Sequence, residues 1–219
     1  MRPGVADANA AGRCRLDAMA RWLQDVAYAD LIEAGFEGRG AWIVRRTRIQ
    51  VEAFPRFGEE LELRTFCSGI GRFSAERRTS IWGEAAAVET VSLWVCLDPE
   101  RGRPMRFPEE FIAAYEESAG GRDAKARTRH PDPPADAGRS PWRFRASEMD
   151  PAGHINNSHY WVPLEEELAG EPDPESIDVE IEYRDPAMPG DAVLLRQGSS
   201  MWIAGDEGVV HASLLTASP

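Results

Sequence analysis

The sequence predicts an α+β fold of two similar units in tandem, each an antiparallel sheet wrapped around a central helix. Three observations predict it. A helical apolar pattern precedes a series of strand-like segments, the same order returns later, and residues 117–141 between the copies are rich in Gly, Pro, Ala and charge. Such a repeated order indicates a duplicated unit. We therefore expect a first domain over 1–116, a linker over 117–141 that is mobile, and a second domain over 142–219.

The first copy opens with a helical pattern over 17–34 and continues with strands. Gly35 and Gly38 end the helix. Strands are predicted near 41–52, 60–67, 72–83 and 87–98. The apolar positions of the predicted helix recur at helical spacing, namely Leu16, Met19, Ala20, Leu23, Val26, Ala27 and Leu31. The polar residues fall elsewhere on the helix, namely Asp17, Arg21, Gln24, Asp25 and Glu33.

The second copy repeats this order with a weaker helix. A strand over 142–147 leads to a helix from about Asn157 to Ala169, which Pro163 shortens or kinks because proline removes a helical hydrogen bond. An alternating strand follows over 179–184, then a turn, then strands to Thr216. Aligning Gly58 with Gly190 places the turns and the alternating strands of the two copies in register.

Charge and cysteine content exclude several classes of protein. The net charge is −12, with +1 up to Arg106 and −13 from Phe107 onward, which argues against nucleic acid or an anionic membrane as the main partner. No apolar run approaches the roughly 18 residues of a membrane span, and no signal peptide opens the chain. Cys14, Cys67 and Cys96 lack metal-type spacing. We expect a cytoplasmic protein with buried thiols, no metal and no cofactor.

The arginines of the first half are grouped. The groups are Arg45, Arg46 and Arg48, then Arg77 and Arg78, then Arg101, Arg103 and Arg106. Such a face suits an acidic partner or a phosphate-bearing carrier arm, and a solvated surface is an equal alternative.

Residues 150–166 carry most of the functional information. Asp150 and His154 flank a turn that contains Gly153, and a helix begins just beyond, with Asn156 or Asn157 as its cap. A base and a proton donor beside a helix start suit attack on an acyl carbonyl, because the helix start favours a developing oxyanion. The alternative is a plain capped turn.

With Tyr160 also in register, the segment resembles the Asp-x-x-Gly-His-(Val/Ile)-Asn-Asn-x-x-Tyr motif of hot-dog-fold thioesterases. Nearly the whole chain resembles the plant-type acyl-ACP thioesterases (ACP, acyl carrier protein) and their bacterial relatives. The resembling segments are 21–27, 41–46, 92–98, 103–108 and the motif itself.

This resemblance implies two tandem hot-dog domains, the first shaping the acyl pocket and the second carrying the catalytic residues. It implies hydrolysis of fatty acyl-ACP, or acyl-coenzyme A, and whether the chain forms a homodimer is left open. Asp150, as general base or nucleophile, and His154, which polarises the carbonyl through its backbone N–H or its ring, are the implied catalytic residues. Gly153, Asn156, Asn157 and Tyr160 are the implied substrate-binding set, Asn157 and Tyr160 serving to order the site.

Two positions depart from the family pattern. Ala152 replaces an Asn, and a later catalytic acid falls on Pro186, with Asp185 one residue earlier. A simpler mechanism, substitution by Asp185 and a weak enzyme all stay open. So do two other functions, a hot-dog dehydratase or hydratase acting on 3-hydroxyacyl or enoyl groups, and an acyl-binding protein without activity.

The first copy echoes the motif at residues 7–12. Laid on the second copy by Asp7 against Asp150, it has Ala11 where His154 stands, which predicts one active site per chain. We interpret Glu165, Glu166 and Glu167 as a solvated helix face.

Overall fold

The computed structural model describes residues 1–205 and 207–217. Across them, nine strands form one antiparallel sheet and three α-helices accompany it. The helices are α1 (Leu16–Glu33), α2 (Glu109–Ala119) and α3 (Val162–Leu168). The strands are β1 (Ala41–Ala53), β2 (Glu62–Ile70), β3 (Ser74–Trp82), β4 (Ala87–Leu97), β5 (Gly138–Phe144), β6 (Ile177–Tyr183), β7 (Gly190–Gln197), β8 (Ser200–Gly205) and β9 (Val210–Thr216). None of the helices in this part of the chain is long and apolar enough to cross a membrane.

The order of the strands is nearly palindromic. It runs β2-β3-β4-β1 and then β6-β9-β8-β7, with β5 added beyond β7. The two series meet where β1 pairs with β6, Thr47 opposite Ile181 and Ile49 opposite Val179. A single continuous sheet would by itself argue against two repeated units. Here, however, the two series of strands have the same internal order, reversed about the β1–β6 pair.

Helix α1 confirms the predicted helix and shows where its apolar face goes. Its first half is buried, Leu16, Met19 and Leu23 lying in the main core. Its second half is less buried, because Ala27 and Leu31 face a cavity. The helical pattern therefore continues past the part of the helix that the protein itself covers.

Helix α2 and the ends of the predicted linker correct the sequence prediction. Residues 117–119 belong to α2, which the sequence analysis did not predict, and 138–141 belong to β5. Its apolar positions Phe111, Tyr115 and Ala119 are buried at helical spacing.

The connection between α2 and β5 is anchored along its length, contrary to a mobile linker. Ser74 Oγ donates to the Ala124 carbonyl at 2.7 Å. The carboxylate of Glu182, on β6, is 1% exposed and accepts the backbone N–H groups of Arg129 and His130 at 2.6 and 3.1 Å. A buried carboxylate requires such donors, so the segment is fixed where it crosses β6. We call residues 120–137 the strap.

The strap also brings together three groups that the sequence separates. Ligand atoms of His130, Glu180 and Glu182 lie within 4.8 Å of one another, a spacing that a metal ion can bridge. Each group already has partners: Glu182 holds two amides, and the His130 ring contacts Ser213 and Glu180. The cluster therefore holds the strap against the sheet through these hydrogen bonds.

Pro163 lies where a helix tolerates it. Asn157–Trp161 form a 3₁₀ turn, and α3 begins only at Val162, so that Pro163 occupies its first turn. Proline has no N–H to lose there. The predicted short helix is confirmed, with seven residues in α3.

The three cysteines are buried free thiols, as predicted. Burial raises the pKa of Cys14 to about 12 and that of Cys96 to about 11. The pKa of a thiol in the unfolded chain is about 8.5. Between these values the unfolded state loses protons that the folded state keeps.

We therefore predict that the free energy of unfolding falls as pH rises above ~8.5, by up to ~1.4 kcal/mol per pH unit for each buried thiol. Urea unfolding at several pH values from 7 to 10.5 measures this slope. Cys96→Ala should have a shallower slope than the parent protein. Identical slopes would contradict the assignment.

Candidate active site

The motif forms a closed loop between two 3₁₀ turns, Ala146–Glu148 and Asn157–Trp161. Asp150 N–H donates to the His154 carbonyl at 3.0 Å, and Gly153 N–H donates to the Asp150 carbonyl at 2.9 Å. Gly153 has φ 82°, a conformation that other residues adopt at a cost. The loop is fixed to the segment before β7 by Ile155 N–H, which donates to the Ala187 carbonyl at 3.0 Å.

Two neutral donors orient the Asp150 carboxylate. Its Oδ1 accepts Ala152 N–H at 2.9 Å and its Oδ2 accepts Asn156 Nδ2 at 3.1 Å. The side chain is half-buried, which leaves it in reach of water. No cation pairs with Asp150 within 4.0 Å in the part of the chain that the structure describes. The carboxylate is thus held in place without being neutralised.

His154 belongs to the same loop, but its ring is turned to the backbone. Nδ1 lies 3.0 Å from the Ile155 carbonyl, which can only accept. The proton is therefore on Nδ1. Over residues 1–205 and 207–217, no side-chain hydrogen bond joins His154 to Asp150; the two meet through the backbone.

The remaining predicted residues divide into a cap and a support. Asn156 is the cap: its Oδ1 accepts Ser158 N–H at 2.9 Å, so this helix-start amide is occupied. The Asn157 carbonyl accepts the Tyr183 hydroxyl at 3.1 Å. Tyr160 is 2% exposed, and its hydroxyl oxygen accepts Ala187 N–H at 2.8 Å. Burial raises the pKa of the Tyr160 hydroxyl to about 12. The Tyr160 side chain lies beneath the motif loop and helps to order the loop.

Asp185, the alternative acid, lies on the same segment as Ala187. Its side chain is 58% exposed and its nearest basic group is His211 Nδ1 at 4.0 Å. It faces solvent more than Asp150 does, and Pro186 beside it is exposed.

One residue whose role the sequence did not reveal, Gln24, joins this loop to a cavity. Gln24 of α1 donates from Nε2 to Asn156 Oδ1 at 3.1 Å, and Asn156 Nδ2 donates back to Gln24 Oε1 at 3.4 Å. The sequence pattern predicts Gln24 on the polar side of α1, although it lies between Ala20 and Ala27 at helical spacing. A polar residue beside an apolar stripe was the available signal.

The cavity has a volume of about 330 Å³ and lies between α1, α2 and the first four strands. Its walls are mainly apolar and aromatic, with Gln24, Glu76 and Arg77 as polar members. The remaining lining residues are Ala27, Tyr28, Leu31, Gly38, Gly40, Trp42, Cys67, Ala75, Trp94 and Phe111. Such a volume and lining are usual for a small-molecule site.

The first half contains a loop with the same hydrogen bonds, which corrects the predicted alignment. Asn9 N–H donates to the Arg13 carbonyl at 2.8 Å, and Gly12 N–H, at φ 79°, donates to the Asn9 carbonyl at 3.0 Å. Ala11 N–H donates to Asn9 Oδ1 at 3.0 Å. These bonds match those of the motif loop one by one. Asn9 therefore corresponds to Asp150, two residues from the predicted Asp7.

The same correspondence places Arg13 at the position of His154. Asp7 is a structural residue, paired with Arg21 and accepting Gly4 N–H at 2.7 Å. The first loop thus carries an amide and a guanidinium where the second carries a carboxylate and an imidazole.

Arg13 is buried in an ion pair between the two halves. It is 0% exposed and donates to Glu165 at 3.0 and 2.7 Å and to Asp173 at 2.8 Å. Burial lowers the pKa of the guanidinium, but the hydrogen bonds to these carboxylates outweigh it and the net pKa is raised. Of the predicted solvated glutamates, Glu166 and Glu167 are exposed, whereas Glu165 is buried. Glu165 is buried because it pairs with the buried guanidinium of Arg13.

Comparison with known proteins places this architecture in a family. The model of the acyl-ACP thioesterase N-terminal domain matches residues 4–115, just over half of the chain. The chain belongs to the acyl-ACP thioesterase family. It is therefore a thioester hydrolase, and the resemblance inferred from the sequence is confirmed.

Relatives by sequence agree with this membership. An uncharacterised protein of Mycobacterium tuberculosis is 27% identical over 198 residues, 89% of this chain and 79% of that protein. The chloroplastic palmitoyl-acyl carrier protein thioesterase of Arabidopsis thaliana is 27% identical over 164 residues, 64% of this chain and 40% of that protein.

Solved structures show the same fold across the family. A proposed oleoyl thioesterase from Lactobacillus plantarum has a TM-score of 0.80 at 17% identity, over 99% of this chain and 93% of that one. The 12:0-ACP thioesterase from Umbellularia californica has 0.75 at 18%, over 99% and 94%. At such identities the likeness concerns the fold alone.

The buried ion pair gives a test of the first loop. We predict that Glu165→Gln lowers the free energy of unfolding by about 3 kcal/mol, because it leaves part of the Arg13 charge buried without its partner. Glu166→Gln, the same change on the exposed face of α3, should stay within ~0.5 kcal/mol. Urea denaturation of the three proteins decides, and equal stabilities would show that the pair is not needed.

Proposed function

We propose that this protein hydrolyses fatty acyl thioesters, with acyl-ACP as the substrate and acyl-coenzyme A as the alternative, releasing the fatty acid and the carrier thiol. One observation carries the proposal. The oriented, unpaired carboxylate of Asp150 is joined through Asn156 to Gln24, which lines an apolar cavity. The family supplies the reaction class, and this arrangement brings a base beside a place for an acyl chain.

The acyl chain would lie along α1. Gln24, Ala27 and Leu31 line the cavity in succession, a rise of about 10 Å at 1.5 Å per residue. Leu31 and Trp42 pack on an aromatic cluster that contains Phe111. The thioester carbonyl would then sit at the Gln24 end, the end nearest Asp150.

Asp150 would act as general base. It takes a proton from a water molecule whose oxygen attacks the carbonyl carbon; the C–S bond then breaks, and the carrier thiolate takes up the proton to leave as a thiol. Alternatively, a carboxylate oxygen attacks directly, giving a mixed anhydride that water cleaves. A thioester is activated enough for either route.

The His154 ring would transfer a proton rather than donate a hydrogen bond to the carbonyl oxygen. With Nδ1–H directed to the Ile155 carbonyl, the neutral ring offers a lone pair at Nε2 and donates there only as an imidazolium. For the ring, this differs from the carbonyl-polarising role that the resemblance implies, and it suits a proton relay to the departing sulfur; polarisation by the backbone N–H of His154 is compatible with it.

We propose two tandem hot-dog domains with one active site per chain. The mirrored strand order and the two matching loops support the duplication. The first loop has neither carboxylate nor imidazole at the two catalytic positions, and Arg13 fills it. The first domain would therefore provide the cavity and the second the reacting groups.

We predict that Asp150→Asn lowers the rate of thioester hydrolysis by at least about two orders of magnitude, because a positioned base contributes about that much. The control, Asp7→Asn, makes the same change in the first half and should stay within a few-fold. Purified proteins, checked for folding, are assayed on a panel of acyl-ACP and acyl-coenzyme A substrates of several chain lengths. Full activity of Asp150→Asn would overturn the site.

A second variant separates Asp150 from its neighbour. If Asp185 is the acid of this site, Asp185→Asn will be as damaging as Asp150→Asn. We expect instead a change of less than about tenfold, because the Asp185 side chain faces solvent.

Surface charge supports a carrier protein as the partner. Of the grouped arginines, Arg46 and Arg77 are largely covered and Arg48 is half-exposed; they pair with Glu180, Asp30 and Asp178 respectively. Four stay exposed in the first half, namely Arg78, Arg101, Arg103 and Arg106. Exposed cations steer an acidic partner and are screened by salt.

We predict that hydrolysis of acyl-ACP falls with ionic strength far more than hydrolysis of a short, neutral thioester. Both rates are measured as kcat/KM between low and high salt. The neutral thioester controls for effects of salt on the site itself, and equal salt dependence would argue against docking by these arginines.

A further inference from the structure

Gln24 links the cavity, through Asn156, to the Asp150 carboxylate. Among the described residues that line the cavity, it is the one that hydrogen-bonds to the motif loop. It belongs to α1, in the first half, whereas Asp150 and Asn156 belong to the second. The site is therefore completed across the two halves.

The hydrogen bonds fix the amide of Asn156 in one orientation. Ser158 N–H can only donate, and it points to the Asn156 oxygen at 2.9 Å, so that the Asn156 NH₂ group faces Asp150 Oδ2 at 3.1 Å. Gln24 supports the same orientation from the other side, donating to the oxygen and accepting from the nitrogen. Without Gln24, Ser158 alone would hold Asn156, and the bond to Asp150 would be free to loosen.

The corresponding contact on the first loop, made by a residue of the second half, shows what a different side chain does at this position. The loops correspond with Leu16 matching Asn157, and eight residues further along each helix stand Gln24 and Glu165. Glu165 binds Arg13 and accepts Leu16 N–H at 2.6 Å, so its carboxylate serves an ion pair. Gln24 is neutral and both donates and accepts. It can therefore hold Asn156 without adding a second charge beside Asp150.

We propose that Gln24 is a positioning residue for the thioesterase reaction: it orients Asn156 and, through Asn156, the Asp150 carboxylate at the head of the acyl cavity. This role rests on the proposed function for its effect on rate, but the coupling of the three side chains can be observed without turnover.

The kinetic test uses two variants of Gln24 and one control. Gln24→Leu removes both hydrogen bonds at similar volume, and Gln24→Glu keeps the shape but only accepts when ionised. Both should lower kcat about tenfold on acyl-ACP, the rate equivalent of one neutral hydrogen bond, with KM changed less than about threefold. Gln50→Leu makes the same change on the exposed part of β1 and should leave both constants unaltered. A purely structural role predicts reduced stability with normal kcat in the folded fraction.

The second test follows the side-chain NH₂ resonances of Asn156 by NMR, assigned by their loss in Asn156→Asp. Asp150→Asn should shift these resonances, and Gln24→Leu should reduce that shift and speed the exchange of the NH₂ protons with water; Gln50→Leu should do neither. If the parent protein hydrolyses no thioester, the proposed function fails while this measurement still decides the coupling. Normal kcat in both Gln24 variants, or Asn156 resonances that do not respond to Gln24→Leu, would overturn the proposal.

Discussion

The antiparallel pairing of β1 with β6 is the interaction on which the rest of the structure depends. It merges two four-stranded series into one sheet, with Thr47 opposite Ile181 at the junction. Because the series are mirrored about this pair, each helix lies beside the loop of the other half. Gln24 thus reaches Asn156, and Glu165 reaches Arg13, over 132 and 152 residues of sequence.

The two interfaces that this pairing creates have diverged in chemistry. One is filled by a buried guanidinium, Arg13, with two carboxylates. The other keeps neutral amides around a carboxylate that is ordered but unpaired. A carboxylate locked to a cation would be a poor base, so the absence of such a partner around Asp150, in the part of the chain described, is as informative as the bonds that it makes.

Local patterns predict the elements well and the long-range contacts poorly. The periodicity of 17–34 arises from burial on one face of a helix, which a short window of sequence records. The role of Glu165 was missed because nothing near it in sequence indicates Arg13. The motif loop was placed correctly, since turn and cap chemistry is local, whereas its counterpart was misaligned by two residues because the acid at Asp7 resembled Asp150. In α2, buried Phe111 and Tyr115 carried a readable helical spacing that the adjoining Gly- and Pro-rich stretch obscured.

The two outer edges of the sheet decide how far it can grow. At one end, Ile70 N–H of β2 donates to the Arg122 carbonyl at 2.9 Å, so that the start of the strap occupies part of that rim. At the other end, β5 carries Pro141, which has no N–H to offer, between exposed Arg139 and Arg143. A strand arriving from another molecule would meet a gap in the ladder at Pro141 and the charged side chains beside it, of which Arg143 is paired with Asp191. Further addition of strands is therefore disfavoured, and the protein gains resistance to edge-to-edge aggregation from residues remote from its chemistry.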